Sequence, residues 1–441
     1  MLSKRIGVTS APIFFVDKRA FLWYNGDKGG AYSMPKRHRL KILVIEQNPL
    51  FSDGSRLSDL VGLTDKIEPS VLELYDDIRF GSHGLVTCET VSWERDDGFP
   101  AHKIDFNLSS GMSKTLDEET VRRLFEKGWY GWWSNEWFTK EVCPENVGFS
   151  FNYDRLIREH DLIERRRNSE FDMILLVNQD PVYCFEACMM GKNAYWINGD
   201  PIEADCPLTA IMNVSVSRRD ANFECFGHMM ENVMMHVFTG GTDCFGYTEH
   251  EWDGVQYDSM NLWQKFILAK RNYDGTAACG NVHFSPNSVR DYDWKNPDPV
   301  LSTWRDWQEN YPDLTGQAEL FDPSVYIPLG MDCEKHACRL HHRWWFSCMP
   351  HADGVTHEGG YSNSWWDYFA SLDYVEEIRA EEDGTFTFRY RSGKTETFNL
   401  PPVPAGQIGL SPVEDPGCAV TVGRESIRVE KDGKSASIPR K

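Results

Sequence analysis

The chain has 441 residues, 41% hydrophobic and 26% charged, the balance of a globular protein with ample material for a core. Its 67 acidic residues against 46 basic ones leave a net charge of −21, which argues against binding the nucleic-acid backbone or adhering to an anionic membrane. Twelve cysteines lack the density of a disulfide scaffold, and no run has the length of a membrane span or the pattern of a signal peptide, so reduced thiols and a cytoplasmic setting are expected.

Residues 1–39 contain two short alternating stretches, read as an N-terminal β segment ahead of a main domain over 40–371. Residues 40–49 form a near-continuous apolar run, the pattern of a buried strand. A helix over 68–80, a strand over 84–93 and a capped amphipathic helix over 116–128 follow. Residues 129–152, with Trp129, Trp132, Trp133 and Trp137, show no period and read as an aromatic-rich loop over a cleft.

A helix over 153–170 feeds a second apolar strand over 171–179, and a third strand is expected over 210–217. Helices alternating with apolar strands predict an α/β fold: a mixed, mainly parallel central sheet with flanking helices and long ordered loops. Next come a helix over 222–238, a glycine-rich turn, a helix over 259–272, and an irregular Asn/Pro/Asp-rich loop over 279–299. From about Leu372 the pattern changes to short alternating strands with Asp-Gly and Ser-Gly turns, a small C-terminal β module over 372–441.

The stretch Asn222–Phe238, NFECFGHMMENVMMHVF, holds the main chemical signal. Glu224, His228 and Glu231 stand at i, i+4 and i+7, within an arc of roughly 60° on an otherwise apolar helix. Ionisable groups in such surroundings must be paired, hydrogen-bonded or metal-bound. His228 and Glu231 are thus candidate metal ligands, with Glu224 and Glu231 as candidate acid/base carboxylates; the structural alternative is a Glu–His pair that pins the helix. The segment resembles the active-site helix of zincin metallopeptidases, whose HExxH motif sets two His around a Glu. It departs from that motif, since Glu224 replaces the first His and Cys225 the catalytic Glu. The inverted HxxEH form is not completed either, because Asn232 occupies its last position.

Two later segments offer partners. The loop Cys279-Gly-Asn-Val-His283 presents His283 as ligand or general base, and Cys279 as a nucleophile in a thiol-hydrolase alternative. Residues 333–357 hold five of the 13 histidines, at 336, 341, 342, 351 and 357, with Cys333, Cys338 and Cys348. His341 or His342 is a candidate third imidazole ligand; a structural zinc clip or a Cys333–Cys338 disulfide are alternatives for the cysteines.

These residues point to a metal-dependent hydrolase of peptide or amide bonds, with zinc as the expected ion and iron or copper as alternatives. The sixteen tryptophans support another class, a non-catalytic glycan- or protein-binding protein. Glycine-rich phosphate loops and GxSxG are missing: 26–30 and 240–246 lack the Lys-Ser/Thr of the one, and no serine has the flanks of the other.

Overall fold

The computed structural model describes residues 36–103, 113–126, 150–179, 184–239, 252, 254–331, 333–355, 361–391, 393–400, 409–411, 418–423, 426–431 and 434–439. The expected β segment at 1–39 lies almost wholly outside them, as do all but the last three residues of the Trp-rich loop at 129–152 and the glycine-rich turn after Thr239.

A mixed six-stranded sheet organises the main body. In chain order its strands are β1 (His38–Gln47), β2 (Val86–Asp96), β3 (Met173–Asn178), β4 (Ala187–Gly191), β5 (Ile202–Glu203) and β6 (Thr209–Ser215). In space they run β2-β1-β3-β6-β4-β5. All pairings are parallel except β4 with β6, which is antiparallel.

Both faces of the sheet are covered, which explains the apolar runs. Side chains alternate across a strand, so Met173, Leu175 and Val177 of β3 join one core while Ile174 and Leu176 join another. The first, larger core also takes in α1 (Ile67–Gly81), α2 (Asn222–Thr239) and much of α3 (Cys333–Cys348). The second is closed by two short helices, Tyr153–Glu159 and Leu162–Arg167. The single helix expected over 153–170 is thus two. Asp161 takes the left-handed conformation at φ 51°, and on either side of this break His160 and Arg165 both reach Glu94 at 2.8 Å.

The helix expected over 259–272 also shortens, to Leu262–Phe266. Its backbone is captured by the loop that follows: Leu268 O accepts from Ala278 N, and Phe266 O from Cys279 N. This exchange ties the 279–284 loop to the core. On the other side, Arg339 and Arg343 of α3 bracket the buried Asp77 of α1 at 2.8 and 2.7 Å, anchoring α3 beside α1.

Among the described residues, the tryptophan clusters at 304–307 and 344–366 are interior. Trp263, Trp307, Trp345, Trp365 and Trp366 are each at most 1% exposed, and Trp304 and Trp344 are buried too. They pack on one another and on Phe266, so they build the large core and offer no platform for a glycan. C-terminal to Leu372, three antiparallel strands (Val375–Ala380, Thr385–Tyr390, Thr395–Asn399) and four more (Gly409–Ser411, Cys418–Val422, Ser426–Lys431, Lys434–Pro439) share an apolar cluster of their own. Among the described residues, no helix is long and apolar enough to cross a membrane.

Candidate metal centre

The start of α2 is pinned to the sheet. Asn222 accepts from Ser215 N at 2.9 Å and donates to Ser215 O at 3.0 Å, holding the first helical turn at the C-terminal end of β6. Glu224 and His228 therefore stand at the edge where parallel strands deliver their loops, the usual place for a ligand in such sheets. Gly227 lies between them, and a Cβ there would sit 2.8 Å from Val282 Cγ2 and 3.3 Å from His342 Cδ2. Only glycine lets the 279–284 loop and α3 approach this closely.

That loop carries His283. Gly280 turns the chain at φ +71°, where a Cβ would fall 2.1 Å from Phe284 O. The Asn281 side chain accepts from the backbone N–H groups of His283 and Phe284, both at 2.9 Å. Trp345 Nε1 donates to Gly280 O, His341 Nε2 to Asn281 O, and Val282 N to Glu231 Oε1 at 3.0 Å. The loop is thus clamped by both α2 and α3, which aims His283 at His228. The two rings lie edge to face, 4.9 Å between centroids.

Glu224, His228 and His283 each offer a ligand atom within 4.8 Å of the others. Ligands about 2.1 Å from a tetrahedral zinc stand about 3.4 Å apart, so occupancy would draw these side chains inward by about an ångström. Two features fit a cation. Nδ1 of His283 is buried without a hydrogen-bond partner, 4.0 Å from Asp291 Oδ1. And His228 faces carboxylates on two sides: Nδ1 lies 3.2 Å from Glu231 Oε2, and Nε2 lies 3.9 Å from Glu186 Oε2. Burial opposes charge on that ring, yet the Glu231 hydrogen bond and the charges of Glu186, Glu231 and Glu224 lift its pKa to about 9. Positive charge is favoured here, whether carried by a proton or a metal.

The other residues singled out from the sequence take different places. Glu231 is engaged at both oxygens, with Val282 N and His228 Nδ1. His341 is fully buried beside Trp294; its Nε2–H donates to Asn281 O and its Nδ1 accepts from the Tyr326 hydroxyl, and burial holds its pKa down at about 3. His342 donates from Nδ1 to Cys338 O, one turn back, and burial keeps it neutral. Neither belongs to the cluster of Glu224, His228 and His283.

Cys279 lies fully buried against Cys348, its thiol pushed well above the ordinary range by burial, the reverse of what a nucleophilic thiolate needs. Cys338 is a free thiol that donates to Glu224 Oε2 at 3.1 Å. Ten residues on along the same helix, about 15 Å away, Cys348 cannot share an ion with it. The side chain of Cys333, and all of His357, lie outside the described residues.

Three further groups stand at this site. Glu186, just ahead of β4, accepts from Asn198 Nδ2 at 2.5 Å and is 38% exposed. Tyr292 holds its hydroxyl 3.0 Å from His283 Nε2, and burial together with the neighbouring Glu224 raises its pKa. Arg218 lines the adjoining cleft of about 560 Å³, whose wall also includes Glu224, Tyr292, Trp294 and Cys338. Comparison of the chain with protein-family models, with curated proteins and with solved structures finds no match.

Proposed function

We propose that the protein is a metal-dependent hydrolase of peptide or amide bonds, with Glu224, His228 and His283 as ligands of a zinc ion. The observation that carries this is the convergence of those three side chains beside a cleft. Two imidazoles and one carboxylate form a donor set that catalytic zinc sites use, leaving a coordination position for water or substrate. Zinc in such a site supplies Lewis acidity and lowers the pKa of a bound water towards about 7.

Each protein group then has a distinct task. Glu231 accepts from His228 Nδ1, which leaves Nε2 as the ligand atom and fixes the ring's orientation. His341 and Trp345 hold the backbone that presents His283. Glu186 has solvent access and is not committed to a backbone N–H as Glu231 is, so it is the carboxylate placed to accept a proton at the reacting centre. Tyr292, with its hydroxyl between Glu224 and His283, is placed to donate to a developing oxyanion or a leaving group.

The test is metal analysis of the purified chain, followed by zinc titration of the apoprotein and assay of fluorogenic peptides with and without chelator. One zinc per chain, lost in Glu224→Gln and His228→Ala, with chelator-sensitive cleavage, is the expected outcome. Absence of stoichiometric zinc, or cleavage indifferent to chelation, sinks the proposal; iron in the same residues would point to oxidative chemistry instead.

A further inference from the structure

We propose that the cleft beside the metal centre takes a small substrate bearing a free carboxylate, which Arg218 binds; this rests on the hydrolase proposal and names its substrate class. Arg218 occupies the turn between β6 and α2. Its backbone is held twice: its N–H donates to Ser215 Oγ at 3.1 Å, and its carbonyl accepts from Ala221 N at 2.9 Å. The side chain is exposed and lines the same cleft as Glu224.

The other cations of this cleft are already matched. Arg219 donates to Glu73 at 3.0 Å, Arg339 to Asp77 at 2.8 Å, and His336 lies 3.0 Å from Asp220. Arg218 alone among the cleft's described cations makes no ion pair or guanidinium hydrogen bond with the described residues. An unmatched guanidinium at an active site, in a chain of net charge −21, is poorly explained by solubility or by general attraction of anions. It is well explained by one local partner.

The planar fork of Arg suits a carboxylate, which it holds through two parallel hydrogen bonds. A monoanion also fits the surroundings better than a phosphate dianion does, because Glu73, Asp220 and Glu224 rim the same cleft and repel a second charge. A volume of about 560 Å³ suits a ligand of a few residues, not a folded protein. The substrate class is therefore a short peptide or an N-acyl amino acid whose carboxylate lies a few bonds from the reacting carbonyl. The carboxylate sits on Arg218, and the carbonyl faces Glu224, His228 and His283.

Calorimetry on the full-length, zinc-loaded protein tests this with N-acetylglycine, N-acetylphenylalanine and N-acetylglutamate, each against its C-terminal amide. At least one acid is expected to bind about tenfold more tightly than its amide. Arg218→Ala removes that preference by weakening the acid alone, and Arg218→Lys restores part of it. Equal binding of acids and amides, a preference that survives Arg218→Ala, or no binding by any of the six overturns the inference. So does inorganic phosphate that displaces the acids at lower concentration than they bind. Zinc affinity is measured separately on the same preparations. Absence of carboxylate selectivity in the native protein with zinc bound condemns the role of Arg218, whereas failure to bind zinc condemns the metal centre itself.

Discussion

Two groups of histidines, a few ångströms apart, behave in opposite ways. His228 and His283 stand beside Glu224, which lines the cleft, and carboxylates face both rings. His341 and His342 lie one layer deeper, fully buried, each donating to a backbone carbonyl. His228 is pulled towards positive charge, whereas His341 and His342 are held neutral. Proximity to a candidate site is a weak guide; what decides is whether the ring faces anions or apolar side chains.

The sharpest way to break this comparison is to delete one member from each group. His341→Ala removes a fully buried ring together with its hydrogen bonds to Asn281 O and the Tyr326 hydroxyl, so a loss of about 3 kcal/mol in denaturant unfolding is expected. His228→Ala is also expected to destabilise the apoprotein, by about 2 kcal/mol at neutral pH, since it strips Glu231 and Glu186 of the positive charge they favour. What sets it apart is zinc, with affinity lower by more than about a hundredfold, beyond what outer-shell losses produce. If the two variants exchange these phenotypes, the assignment of roles is wrong.

A second contrast is in pH. His351 stacks on His83 with 3.8 Å between ring centroids, and burial, with the neighbouring His83, lowers its pKa to about 4 against an ordinary 6.5. The unfolded chain then takes up the proton first as pH falls. Stability from this residue is full above about pH 6.5 and drains away towards pH 4, by about 2 kcal/mol. Unfolding curves of His351→Gln should be flatter over that window than those of the native chain; identical slopes would show that the ring is protonated as easily folded as unfolded.

The smallest expected effect tests how the two groups are joined. Glu231→Gln keeps an acceptor for Val282 N but cannot accept from His228 Nδ1–H. A fall of about tenfold in zinc affinity, with the fold intact by circular dichroism, is expected. A fall as large as that of His228→Ala would make Glu231 itself a ligand.

Much of the architecture was legible in the chain because it depends on local periodicity. Apolar runs at 40–49, 171–179 and 210–217 marked strands buried on both faces, and Glu224, His228 and Glu231 on one arc marked the helix that carries the candidate site. Breaks caused by long-range partners were not legible. The 153–170 helix breaks at Asp161 and the 259–272 helix shortens where the 279–284 loop captures its carbonyls.

The site divides the same way. Sequence spacing alone put Glu224 and His228 side by side, since residues four apart on a helix must share a face. It raised His283, His341 and His342 equally as partners, because nothing local says which ring a distant loop will meet. Tertiary packing separated them: the clamped 279–284 loop brings His283 to His228, while α3 turns His341 to a backbone carbonyl. Glu186, Tyr292 and Arg218 had no periodicity or spacing to mark them for this site. Their places depend on an antiparallel strand, an irregular loop and a turn meeting at one sheet edge, a coincidence in space that only the folded chain creates.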